Sequence, residues 1–311
     1  MAVQKKYQKA CWATLGATAI LTVWRIAVTP QAAQGSVLHC LLPVFTVGAV
    51  LALLLWCGLK KEPLHAMKGL AATGVTATTF ISGVLLTGFS VFVAERWFVK
   101  REMPYPQKAI ATGTDKLFIV GLIVCGLVGG VFLIYLSVQW WKKRRVERGG
   151  FPLLVLTPVL WSWFRLLRYE TSHVSAIATF CSLPDVAVLV VEMLFLLAFA
   201  RFVSGVEEKP PRFFVGTSLS TGMLCTMGVL TGIARLFLQK TIAVSEGALI
   251  IVPDIGFALL AFSMAFGQAF SKEENSLPTA EEQPEAAEPN RESEKPLELD
   301  EILDDILRQN H

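Results

Sequence analysis

Eight stretches of this 311-residue chain are apolar for about the length that a lipid bilayer demands. A spanning helix needs about 20 mainly apolar residues to cross a hydrocarbon core about 30 Å thick. Inside that core, lipid satisfies no backbone N–H or C=O group, so each segment must bond within itself. The stretches are 11–28, 36–59, 69–94, 117–141, 151–168, 184–204, 213–237 and 248–270. They predict an all-α polytopic membrane protein with eight transmembrane helices, whose first partner is the lipid bilayer. The expected organisation is a membrane half over 1–149 with spans 1–4 and a second over 150–270 with spans 5–8. A disordered acidic linker over 271–296 and an amphipathic cytoplasmic helix over 297–309 follow.

Charge divides the same way. Residues 1–270 carry 12 acidic and 24 basic side chains, whereas the last 41 positions hold 13 of the 25 acidic ones. The formal net charge of +3 therefore averages a basic membrane body and an acidic tail. Short loops rich in Lys and Arg face the cytoplasm. Lys5, Lys6 and Lys9 precede span 1, and Lys60, Lys61 and Lys68 lie between spans 2 and 3. Lys142, Lys143, Arg144, Arg145 and Arg148 follow span 4, and Arg201, Lys209 and Arg212 follow span 6. This alternation fits eight spans in the plasma membrane with both termini cytoplasmic. Segment 95–116 dissents, being basic on the outer side. Its Trp97, Phe98 and Tyr105 read as an interfacial segment. The run from Cys11 to Val28 exceeds the apolar core of a secretory signal, so span 1 reads as a retained helix.

Chemical motifs are sparse. The six cysteines stand singly, with no CxxC pair, and none of HExxH, GxSxG, GxxxxGK[ST] or GxGxxG occurs. The sequence implies no catalytic residues, cofactor, metal or nucleic-acid partner. Cys40 and Cys181 fall at outer span ends, the one placement that admits a disulfide.

The strongest local signal is charge inside the spans, where an ionisable side chain is costly and pairs or functions. At a rise of about 1.5 Å per residue, Arg165 lies about 21 Å above the inner surface and Arg168 about 26 Å. Asp185 lies at the outer surface, with Glu192 about 12 Å and Asp254 about 9 Å below it. Arg25 and Arg235 sit toward the outer ends of spans 1 and 7. Trp161, Arg165 and Arg168 share one helical face by their i, i+4, i+7 spacing, and Asp185 and Glu192, seven apart, share another. Two readings follow. In one, these residues line an outward-facing polar pocket for a small anionic or zwitterionic solute, with Glu192 as a proton-coupled group. In the other, Arg165, Glu192 and Asp254 are interhelical ion pairs, and Arg25, Arg168 and Arg235 reach out to lipid headgroups.

Pro158 in span 5 and Pro253 in span 8 each remove a helix hydrogen bond. Spans 3 and 7 are rich in Gly, Ser and Thr, which predicts close helix approach, or else a polar lining. The halves also echo one another. Cys40-Leu41-Leu42-Pro43 matches Cys181-Ser182-Leu183-Pro184, and the Gly83–Gly88 run matches Gly228–Gly232, as in a 4+4 parallel repeat. In the tail, Leu299, Ile302, Leu303, Ile306 and Leu307 form an apolar stripe flanked by acidic residues. That stripe predicts a tethered helix that docks on a cytoplasmic protein or on the basic loop Lys142–Arg148 of the same chain.

Pro158-Val159-Leu160-Trp161 with Phe164-Arg165-Leu166, and the acidic-apolar ending, resemble multipass membrane proteins of unknown function from Gram-positive, Clostridia-like bacteria. The resemblance implies a multipass membrane protein and no activity. The expected function is transporter-like or solute-sensing. The alternative is a membrane scaffold that recruits a cytoplasmic partner through its tail.

Overall fold

The computed structural model describes residues 2–28, 37–58, 69–99, 113–143, 152–172, 183–204, 213–238 and 246–270. The tail stripe from Leu299 to Leu307, the linker before it and Cys181 lie outside these residues. The described chain is helical throughout: α1 (Ala2–Val28), α2 (Val37–Gly58), α3 (Gly69–Ala94), α4 (Gly113–Lys143), α5 (Pro152–Val155), α6 (Thr157–Ser172), α7 (Leu183–Ser204), α8 (Phe214–Leu238) and α9 (Glu246–Phe270).

Six of these helices are long and apolar enough to cross a membrane: Lys5–Ala27, Ala72–Val99, Lys116–Lys143, Asp185–Ser204, Phe214–Ala234 and Ile251–Phe270. Two of the eight expected spans are not among these six. α2 runs Val37–Gly58, and its described side chains, Leu41–Cys57, form an apolar stretch. Span 5 is broken at Leu156 into α5 and α6, and α6 carries Arg165, Arg168 and Glu170. Pro158 explains the break, since it has no N–H to offer the Leu154 carbonyl four residues back and its ring crowds that carbonyl. The carbonyls near the break are taken locally: Leu156 N donates to Leu153 O at 3.2 Å, and Thr157 Oγ1 donates to Leu154 O at 2.6 Å. Pro253, by contrast, lies within an unbroken α9.

Two helix ends extend past the apolar stretches. α1 starts at Ala2, because its Lys- and Gln-rich first turns contain no helix breaker. α3 continues as a wider π-type turn over Glu95–Val99, so the segment expected to be a loop from residue 95 begins as helix. Arg96 lies over the Phe92 ring at 5.1 Å, one turn back, which favours that continuation.

The helices alternate in direction. Late α1 meets early α2 through Trp24 and Phe45, with ring centroids 5.2 Å apart. Late α4 meets early α3 where Ser137 Oγ donates to Thr76 O at 2.9 Å. Late α7 meets early α8 where Phe202 stacks on Phe214 at 5.4 Å. The two chain ends of the bundle come together, with Gln8 Nε2 donating to Ala269 O at 3.4 Å. The central helix is α8. Every residue from Phe214 to Cys225 is buried, and α8 packs along α9, α1, α7 and α2. α3, which the expected four-plus-four repeat would make its counterpart, packs chiefly along α4 and α9. Apolar side chains such as Ile20, Phe45, Leu55, Val131 and Trp141 cover the outside. A lipid-facing surface requires such a cover, whereas in water it would be a large exposed patch.

Small residues set the tightest seam. A Cβ on Gly83 of α3 would lie 2.7 Å from Gly130 O and 2.9 Å from Ile134 N, both backbone atoms of α4. A Cβ on Gly130 would in turn meet Gly83 O at 2.8 Å. The two helices therefore touch backbone to backbone, as small residues permit in membranes. We expect Gly83→Ala to lower thermal stability in detergent by about 1–3 kcal/mol through overpacking. Gly88→Ala, where a Cβ meets nothing within 4 Å, should be neutral or stabilising. Equal effects of the two changes would show that the seam does not control stability.

Most of the hydroxyls on α3 and α8 are satisfied without any ligand. Thr76, Thr79, Ser90, Ser218 and Thr231 each donate to the carbonyl four residues back at 2.7–2.8 Å. Others tie helices together: Ser82 Oγ donates to Gly256 O at 2.7 Å and Thr221 Oγ1 to Val191 O at 3.1 Å.

Candidate functional site

Three charged side chains from three helices converge in the interior. Arg165 of α6 donates through Nη1 to Asp254 Oδ1 at 2.5 Å and through Nη2 to Asp254 Oδ2 at 3.0 Å. Its Nη1 also donates to Glu192 Oε2 of α7 at 3.3 Å. The planar guanidinium fork thus grips the Asp254 carboxylate with both arms, the geometry for which arginine is suited. Glu192 receives a longer contact from a nitrogen that is already engaged.

Position along the helices explains the meeting. Asp254 lies eight residues after the start of α9 and Glu192 nine after the start of α7, so each is about 12–14 Å along its helix. The broken α5–α6 segment raises Arg165 to the same level. Trp161, one turn below Arg165, is fully buried and anchors α6 where α3, α4 and α9 meet. Its ring packs edge-on to Phe89 at 6.3 Å and tilted against Phe257 at 5.6 Å. The Arg165 guanidinium carbon lies 5.4 Å from the Trp161 ring centroid, a cation–π contact that holds the arginine from the side its carboxylates leave open. Gly126 of α4 makes room for the indole, since a Cβ there would approach its Cδ1 to 2.8 Å.

Two oxygens and one charge decide what the group can do. Glu192 has no solvent exposure, and its Oε1 has no hydrogen-bond partner among the described residues. The charges that act on it are those of Arg165 and Asp254. Cys225 of α8 also lies within electrostatic reach of all three. The group holds one guanidinium against two carboxylates. Three further buried polar atoms, Trp161 Nε1, Ser162 Oγ and Ser220 Oγ, lie on the same helices and have no hydrogen-bond partner among the described residues.

A second ion pair joins the end of α1 to the start of α7. Arg25 of α1 donates through Nη2 to Asp185 Oδ1 of α7. The Arg25 side chain is 10% exposed and that of Asp185 46%. Arg25 therefore turns inward, in place of the expected reach to headgroups, because α7 presents a carboxylate at its level. Arg168 is half-buried on α6, one turn above Arg165. The two acidic residues that share a face of α7 thus serve different neighbours: Asp185 binds α1, and Glu192 binds α6. Residue spacing carried no signal for the Arg25–Asp185 pair, since helix order around the bundle is not written in it.

Comparison with known proteins returns no match: no family model, no curated protein and no solved structure corresponds to the chain.

Proposed function

We propose that the chain is an eight-span plasma-membrane protein with both termini cytoplasmic, transporter-like or solute-sensing, and that its charged centre is formed by Arg165, Glu192 and Asp254. The observation that carries this reading is Glu192 Oε1, a carboxylate oxygen in an apolar interior with no partner. A purely structural ion pair gains by satisfying every lone pair, because a buried unsatisfied group costs about 1–3 kcal/mol and a charged one more. An oxygen left open beside a charged group is better suited to a ligand than to holding helices together. The Arg25–Asp185 pair lies above the group on the half-exposed side, where a solute would enter. The contact between Gln8 and Ala269 supports both ends lying on one face, and the Lys- and Arg-rich loops support that face being cytoplasmic.

Thermal stability of the purified protein in detergent tests this reading, with amino acids, amines, small carboxylates and phosphates as ligands and Glu192→Gln as the control. A ligand that binds only the native state at 100 times its Kd stabilises by about 2.7 kcal/mol. We expect a selective rise that is absent in Glu192→Gln. A flat panel with the variant itself destabilised would assign the group to structure alone.

The apolar stripe of Leu299, Ile302, Leu303, Ile306 and Leu307 favours a second role, docking on a cytoplasmic protein. Deleting 271–311 should then remove a partner and leave the ligand response intact.

A further inference from the structure

We infer that the occupant of this centre carries a positive charge, and that Glu192 Oε1 receives it. The inference rests on reading the group as a solute-facing centre, and it names the chemistry of the solute. Both arms of the Arg165 guanidinium are already spent, one nitrogen on each Asp254 oxygen and Nη1 on Glu192 as well. An anion entering here would find its natural partner engaged and two carboxylates close by. Exchanging Asp254 for an anionic ligand would leave that carboxylate buried without a partner, which is costly. A cation meets the opposite situation. Glu192 is fully buried, its Oε1 accepts nothing, and the carboxylates outnumber the guanidinium by one. One positive charge placed on Oε1 balances the group and leaves the Arg165–Asp254 grip undisturbed.

The neighbours of Glu192 are consistent with that chemistry. The titratable groups that face it are Arg165 from α6, Asp254 from α9 and Cys225 from α8. Thr221 bonds Val191 O and so fixes α8 beside this stretch of α7. The indole of Trp161 is a face that attracts cations, but Arg165 occupies it, so the new charge falls to the carboxylate. Two sources supply such a charge: a small alkali cation, or the ammonium group of an organic solute.

The test uses the full-length protein in detergent at fixed pH and fixed ionic strength, with N-methylglucammonium chloride as the bulky reference salt. One arm replaces that salt with lithium, sodium or potassium chloride. A second adds ethylammonium or glycine, and a third adds acetate or phosphate as the reference cation's salt. We expect a saturable rise in melting temperature in the first or second arm, which identifies the source. The rise should be lost in Glu192→Gln and retained with weaker affinity in Glu192→Asp, which keeps the charge. A rise in the anion arm alone overturns the positive-charge inference but leaves a ligand site at the centre. No rise in any arm overturns both. A Glu192→Gln protein more stable than the parent, with no cation effect, also overturns the inference, since a proton would then be the occupant.

Discussion

Arg165→Met is expected to cost the protein about 3–5 kcal/mol, enough to prevent its accumulation in the membrane or to collapse its melting transition in detergent. Removing one member of a buried ion pair leaves the other uncompensated, and that penalty is of this size. Here the loss is doubled in kind, because Asp254 and Glu192 are both left beside one another without their shared cation. The informative comparison is the triple change Arg165→Met, Glu192→Gln and Asp254→Asn, which removes all the charge. Isosteric replacement of a whole buried ionic group is often neutral or stabilising, so most of the lost stability should return. If the triple variant is as unstable as the single one, packing of the Arg165 stem, rather than charge, dominates. A stable triple variant that no longer responds to ligand would separate the fold's need for this group from its function.

Trp161→Ala carries the second large effect, about 3–5 kcal/mol, the range for truncating a buried large aromatic. Lipid tails are as apolar as the protein interior, so this cost comes from lost packing and the cavity left behind rather than from hydrophobic transfer. The cavity would open among Phe89, Phe257 and Gly126, at the junction of α3, α9, α4 and α6. The cation–π contact to Arg165 would go with it. Trp161→Phe should cost much less, because the indole Nε1 has no hydrogen-bond partner among the described residues. Melting curves of the two variants check the order. A Phe variant as damaged as the Ala variant would mean that the indole nitrogen has a role that its surroundings do not reveal.

Much of the fold could be read from apolar run length alone, because length and composition decide whether a helix can sit in lipid. The reading falls short where a local event competes with that signal. Leu156 ends a helix inside an apolar run because Pro158 follows, and α6 is too charged to qualify as a span by composition. The centre is legible in a different way. Depth follows from counting residues along a span, so Arg165, Glu192 and Asp254 could be set at similar heights before any contact was seen. Azimuth does not follow. Which helix stands beside which is fixed by seams such as Gly83 against Gly130, whose closeness depends on both partners at once. That is why one of the two sequence readings sends Arg25 to lipid headgroups, whereas it meets Asp185, and why the two-armed grip on Asp254, rather than on Glu192, carries no sequence signal.

The pairing of α7 has a mechanical consequence. This helix is pinned at two heights to two neighbours, to α1 through Asp185 and to α6 through Glu192, with about 10 Å of axis between the pins. The pins differ in strength. The upper one borders water, where salt screens it, while the lower one has no solvent to compete with it. A rise in ionic strength therefore weakens the Asp185 contact before the Glu192 one. If the proposed solute binds at Glu192, the deeper pin of α7 and the binding group are one carboxylate.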